Sequence, residues 1–387
     1  MSALAVALAN MGDEVTGADR TLGTGNIRRL EKLGMRCYPD DGSGVDGTVD
    51  EVIVSTAIEE TNPGLRAARE FGIPVTHRAV ALARALSGRK LVAVVGTCGK
   101  STVTALLGHI LIECGYDPFC VNGANVPGWE GAVHYGRGAY AVAEVDESDR
   151  SLVAFKPYAA IVTNASADHY SKEEMDEVFD AFSAQATGPV VDGRREAPGE
   201  VACSMPGRHN AQNAALALKM AVLLGCDEAR ARAALMTFPG VERRLQRYGL
   251  KVYDDYAHNP EKLRALWTTL AAAHPEGGVC VVWRPHGYAP LRKMAQALAD
   301  MFNETIREKD KLLLLPVYDA GGTADRSIQS SDLADKLKPG LALCVKDLDA
   351  AYNWVAPRYN NFAAFAVAGA RDPELPALAA RIAAAGV

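Results

Sequence analysis

LVAVVGTCGKSTVTALLGHILIECG, residues 91–115, reads as a buried strand, a glycine turn and a helix in direct succession. The apolar run 91–95 is largely β-branched, as a central strand requires. Gly96 and Gly99 permit backbone conformations that aim successive N–H groups at phosphate oxygens. The helix beginning near Lys100 adds the positive end of its dipole. In such a loop the Lys100 ammonium reaches the β and γ phosphates and the Ser101 hydroxyl ligates Mg²⁺, with Thr97, Cys98 and Thr102 completing the candidate ATP site. The form is GxxGKS, because Val94 stands where the eight-residue pattern has its first glycine. A glycine turn with an exposed lysine is the plainer alternative, and the flanking strand and helix favour the nucleotide.

Outward from this loop the same alternation continues. Before it lie the strand candidates EVTGAD (14–19), EVIVST (51–56) and IPVTH (73–77), with the helix PGLRAAREFG between the last two. After it come AYAVAEVDESD, AAIVTNAS and the helix HNAQNAALALKMAVLLG; near Pro239 and Gly240 the pattern restarts with KVYDDYAHNP, GVCVVWRPHG, KLLLLPVYDAGG and FAAFAVAGARD. Strands alternating with helices predict an α/β chain built on mainly parallel sheets. The expected blocks are 1–88, 89–240 and 241–387, with the third a Rossmann-like sheet on its own.

Composition narrows the class. The chain has 387 residues, 49% hydrophobic and 23% charged, which is globular rather than disordered. No uncharged apolar run approaches the roughly 18 residues that span a bilayer, and the opening residues lack a basic leader and cleavage motif. The formal net charge of -6 argues against wholesale nucleic-acid binding. The expectation is a cytoplasmic protein with no nucleic-acid partner and no membrane insertion. Its eight cysteines are scattered without a CxxC pair, so zinc is a poor fit.

Ligands of open parallel sheets bind beyond the carboxyl ends of the strands. AVAEVDESDRS places Glu144, Asp146, Glu147 and Asp149 there, and AAIVTNASADHY places Asn164, Asp168 and His169. Carboxylates and a neutral imidazole near a phosphate loop can hold the Mg²⁺ that ATP chemistry needs. A solvated acidic loop and a structural histidine are the alternatives.

The ordered set GTCGKST, EVDESD with TNASADH, PGRHNAQNAA, FPGVERRLQ and VYDDYAHNP resembles the Mur ligase family across nearly the whole chain. The DESD and DDYAH wording is most similar to the branch that adds L-alanine to UDP-N-acetylmuramate. The resemblance implies three domains: a Rossmann-like one for the UDP-sugar, a central P-loop ATPase, and a Rossmann-like one that closes over the site. It implies an amide bond made at the expense of ATP through an acyl phosphate, in peptidoglycan precursor synthesis, with ATP and Mg²⁺ required. Partners implied are a UDP-sugar-type carboxylate acceptor and L-alanine or a short peptide; the protein itself is a monomer or homodimer.

By that resemblance Lys100 and Ser101 hold the phosphates and Mg²⁺, and Glu144 and His169 are metal ligands. Asn210 and Asn213 match an adenine-contacting HNxxN segment; helix capping is their other reading. Arg244 resembles an arginine that approaches the nucleotide, is not separable from Arg243 by sequence, and could instead sit in a surface salt bridge. Asp255 and His258 resemble residues that complete the ATP site, or else form a turn. Arg284 and His286, in WRPHGY, match a strand end facing substrate.

Several features depart from the family pattern. The chain opens at Met1-Ser2-Ala3-Leu4, already inside a helix whose stripe Leu4, Leu8 and Met11 needs a sheet to pack on. The expectation is that the true start lies upstream or that the UDP-diphosphate loop has been lost. The segment 182–206 is short, which predicts a hairpin or loop in place of a small sheet, and no lysine lies between Lys172 and Lys219 to be carbamylated. Cys98 stands in the phosphate loop, as a tolerated small residue or a redox handle, and Asn259 replaces a second histidine. These departures keep open a ligase with another acceptor or a peptide donor, and a non-catalytic ATP-binding scaffold.

Overall fold

The computed structural model describes residues 1–146, 151–165, 172–319 and 325–386. They fall in two compact units, Met1–Met205 with Asn210–Val241, and Pro206–His209 with Glu242–Val387. The first two expected blocks thus share one unit.

In the first unit β1 (Thr16–Asp19) pairs in parallel with β2 (Arg36–Pro39), and β3 (Val52–Val54) with β4 (Val75–His77). The main sheet contains β5 (Lys90–Val95), β6 (Phe119–Val121), β7 (Val133–Tyr135), β8 (Tyr140–Glu144), β9 (Ala159–Val162) and β10 (Val190–Asp192), in the order β10-β9-β5-β8-β6-β7. Only its edge strand β7 runs antiparallel. β5 sits inside this sheet and is buried on both faces, so it needs no polar alternation. Its period of two still sorts side chains. Val92 and Val94 join a core with the helices Lys100–Glu113, Arg208–Leu223 and Glu228–Thr237. Leu91, Ala93 and Val95 face the other way, toward Val6, Ala7, Ala79, Leu86, Phe179 and Phe182. The helices Ser2–Met11 and Arg78–Leu86 therefore pack on the same sheet as the phosphate loop, which is why the first two blocks cohere.

The expected stripe on the first helix needs correction. Leu4 and Leu8 are buried against Ala81 and Ala85, but Met11 is exposed. The helix instead buries Val6 and Ala7 along with them, because it is covered from two sides. Of the short segment expected as a hairpin or loop, 193–206 contain no helix or strand, as a loop would, and the part before them differs. Val190–Asp192 is an edge strand in parallel register with β9, and the chain beyond it is anchored by Arg194. That guanidinium is ion-paired to Asp176 at 3.0 Å and to Asp180 and Asp192 at 2.6 Å.

The second unit holds β11 (Gln246–Tyr248), β12 (Val252–Asp255), β13 (Val279–Trp283), β14 (Lys311–Leu314), β15 (Ala342–Cys344) and β16 (Ala364–Ala368), ordered β11-β12-β16-β13-β14-β15. β11 is antiparallel to β12 and the other pairings are parallel. β13 again alternates: Val281 and Trp283 pack with Trp267, Leu298 and Phe302, while Cys280 and Val282 pack with Val355, Leu375 and Ile382. No helix among the described residues is long and apolar enough to cross a membrane.

Candidate active site

The phosphate loop is built as the glycines required. Gly96 has φ 128° and Gly99 φ 86°, both in the region that side chains rarely adopt. Space excludes a side chain as well. A Cβ on Gly99 would lie 2.6 Å from Asn213 Oδ1, and one on Gly96 would overlap Thr163 Oγ1. Gly99 caps the helix Lys100–Glu113, whose first-turn amides have no acceptor within the helix and give it a positive end that favours an anion. The fit to a polyphosphate rests on this cradle.

A second strand end holds the loop in shape. Asn164 Oδ1 accepts from Thr97 Oγ1 at 2.7 Å and from the Cys98 amide at 2.9 Å. Asn164 Nδ2 donates to the Cys98 carbonyl at 3.0 Å, and Thr163 Oγ1 donates to the same carbonyl at 2.6 Å. β5 and β9 are hydrogen-bonded neighbours, with Val95 opposite Val162, so Thr163 and Asn164 follow at the level of the loop. Cys98 joins this brace through its backbone amide and carbonyl. From the sequence Asn164 is expected at this strand end, but its clamping role emerges only from the fold; the available signal is a polar pair directly after a fully apolar strand.

Asn164→Ala is therefore expected to weaken ADP binding about 10-fold, because it removes three hydrogen bonds and leaves the Cys98 amide without that acceptor. Titration calorimetry checks this; unchanged affinity would show that the loop holds itself.

Lys100 Nζ donates to the Gly96 carbonyl at 2.5 Å, folding the ammonium back over the loop. Ser101 and Thr102 are buried at the helix start. Glu144 ends β8, opposite Val94 of β5, and its half-buried carboxylate accepts the Gly123 amide at 2.8 Å on Oε2. Ser101 and Glu144 thus offer a hydroxyl and a carboxylate, oxygen donors of the kind Mg²⁺ takes. Asp146 pairs with Arg78 at 3.1 Å. Glu147, Asp149, Asp168 and His169 lie outside the described residues. Among the described residues no three His, Cys, Asp or Glu side chains gather as a metal cage. Asn210 and Asn213 are both buried on the helix Arg208–Leu223, with Asn213 against Gly99.

In the second unit the structure separates the two arginines. Arg243 has φ 60° and reaches Asp254, 0% exposed, at 3.2 Å, besides donating to the Gly369 carbonyl at 2.6 Å. Burial pushes the Asp254 carboxyl up to about 6 despite this partner. Arg244 makes no side-chain hydrogen bond or ion pair among the described residues; its guanidinium lies 5.1 Å from the Tyr256 ring centroid. Asp255 is half-buried and accepts the amides of Ala257 at 2.8 Å and Leu245 at 2.7 Å. Desolvation raises its pKa, opposed by Arg244.

His258 and His286 meet edge to face at 4.8 Å, beyond the ends of β12 and β13. The Tyr256 carbonyl 2.8 Å from His258 Nδ1 can only accept, which puts the proton on that nitrogen. Arg284 is paired with the buried Asp372, which accounts for its cation within the unit. Asn259, in place of the second histidine, caps the helix Pro260–Ala273 by accepting the Lys262 amide at 3.0 Å.

Residues 1–90 match the Mur ligase family, catalytic domain, and residues 242–371 match the Mur ligase, glutamate ligase domain. A UDP-N-acetylmuramate--L-alanine ligase of Solidesulfovibrio magneticus is 32% identical over 395 residues, spanning 87% of this chain and 85% of that one. The chain belongs to the Mur ligase family. A Rubrobacter xylanophilus protein of the same name is 34% identical, over 87% of this chain and 86% of its own. Among solved structures, the UDP-N-acetylmuramate-alanine ligase MurC of Thermotoga maritima superposes with a TM-score of 0.78 at 24% identity, covering 99% of this chain and 95% of that one. That likeness concerns the fold. The match named for a catalytic domain ends at residue 90, just short of the phosphate loop.

Proposed function

We infer that this Mur ligase joins L-alanine to UDP-N-acetylmuramate with ATP as the energy source. The observation that carries it is a chain-long match to curated ligases of that name, at 32% and 34% identity. The braced phosphate loop is the local feature in keeping with it.

The chemistry asks two anions to meet. A carboxylate oxygen attacks the γ-phosphorus, the bond to the β-phosphate oxygen breaks, and ADP leaves from the acyl phosphate. The amine of alanine then attacks the acyl carbon, gives up a proton and expels inorganic phosphate. Lys100 and the helix amides supply positive charge where it builds on the phosphoryl oxygens. Ser101 and Glu144, with His169, are the residues proposed to hold Mg²⁺, which when bound would neutralise phosphate charge. Asn210, Asn213, Arg244, Asp255 and His258 are proposed to contact ATP, and His286 with Arg284 the substrate. The proposal includes a domain division at 1–88, 89–240 and 241–387 and a cytoplasmic setting.

Purified protein should release phosphate from ATP only when UDP-N-acetylmuramate and L-alanine are both supplied. Release that needs a peptide in place of alanine would move the assignment to another branch. No release with any muramyl acceptor would sink it.

A further inference from the structure

Gly123 follows β6, outside the phosphate loop and the acidic strand ends that the chemistry uses. Its amide nonetheless donates to Glu144 Oε2 at 2.8 Å. A Cβ built there would be 2.7 Å from Glu144 Cδ and 2.8 Å from Oε1, and would overlap Oε2. The backbone does not explain a glycine here, because Gly123 is not among the residues with positive φ. Neither does packing, because Gly123 is exposed. What a side chain would displace is the Glu144 carboxylate.

The neighbouring residue fixes the amide in place. Asn122 is buried, its own amide donates to the Ala132 carbonyl at 2.8 Å, and its Nδ2 donates across Gly123 to the Ala124 carbonyl at 3.0 Å. β6 and β8 are hydrogen-bonded neighbours, with Val121 opposite Ala143, so the turn after one meets the last residue of the other. One oxygen of Glu144 is thereby tied to a rigid turn. The other accepts no hydrogen bond among the described residues and is held in an orientation the side chain alone would not keep.

We propose that Gly123 is a positioning residue for the cation site: its amide orients the Glu144 carboxylate, and its missing side chain leaves room for that carboxylate. The proposal rests on the reading of Glu144 as a Mg²⁺ ligand. Because the group that must move is the far end of a flexible side chain, Gly123→Ala should leave the fold intact and disturb the site alone. That separates it from an ordinary core glycine, where the backbone has to shift.

The test titrates Mn²⁺ alone into nucleotide-free protein, followed by electron paramagnetic resonance, beside thermal melting and an ADP titration in chelator. Gly123→Ala is expected to weaken Mn²⁺ binding about 10-fold or more, with an unchanged melting temperature and unchanged ADP affinity without metal. Glu144→Gln should weaken Mn²⁺ at least as much. The double variant Gly123→Ala/Glu144→Asp should bind no worse than Glu144→Asp alone, since the shorter acid withdraws from the new methyl. If Glu144→Gln loses the ion and Gly123→Ala keeps it, the role of Gly123 is wrong while that of Glu144 stands. If Glu144→Gln keeps the ion, or the parent binds none, the cation reading fails and this proposal falls with it. A drop in melting temperature that accompanies the loss for Gly123→Ala makes the glycine structural and overturns the proposal.

Discussion

Lys100→Ala is expected to lower ligase turnover about 10³-fold, the scale on which a charge facing a transferring phosphoryl group is felt. The ammonium lies on the Gly96 carbonyl, at the mouth of a loop whose shape comes from Thr163 and Asn164. Nothing in that brace uses the lysine side chain. The variant should therefore melt within a few degrees of the parent, and its loss should appear in kcat more than in the KM for alanine. Steady-state phosphate release with both substrates saturating is the measurement. Turnover within 10-fold of the parent would remove Lys100 from the chemistry and favour a scaffold role.

The largest effect on stability is expected in the second unit. Arg243→Met keeps the stem and the backbone cost of a left-handed residue but removes the cation beside Asp254. A buried carboxylate that loses its partner typically costs about 3–5 kcal/mol. The pH dependence carries the sign. Burial raises the Asp254 carboxyl to about 6 from an ordinary 3.8. Between those values the folded chain holds a proton that the unfolded chain has released. The group's contribution to stability is thus fully present below about pH 4 and lost as pH rises through about 6. Removing the cation raises this carboxyl further, so Arg243→Met should lag the parent much less at pH 5 than at pH 8. Denaturant melts at both pH values check it, and an equal deficit at the two would mean that the charge is not the cause. Asp254→Asn should flatten the slope in the parent background.

Much of the chemistry was legible because it sits in contiguous residues. The run 91–102 contains its own strand, turn and helix start, and neither glycine position tolerates a substitute. Strong apolar strands such as β5, β9, β13 and β16 were legible for the same reason. The strands β2, β6, β7 and β15, three or four residues long, were not. Arg36–Pro39 contains a charge and a proline, and no local signal separates it from a loop; it is a strand because β1 lies beside it. The edge strand β10 was missed likewise, its pairing with β9 outweighing a glycine- and proline-bearing context.

The sequence by itself determined the phosphate loop, the α/β alternation and the family, since each is written in neighbouring residues or in motif order. Only the tertiary structure decided what each polar group does. Arg243 and Arg244 are adjacent, chemically alike and both lie over the Tyr256 ring, yet Arg243 is bound to a buried carboxylate and Arg244 makes no ion pair among the described residues. Asn164 became a clamp and Gly123 a neighbour of Glu144 because parallel strands distant in sequence end at the same level. Hydrogen bonds act over about 3 Å, and that distance is set by the sheet rather than by the order of the chain.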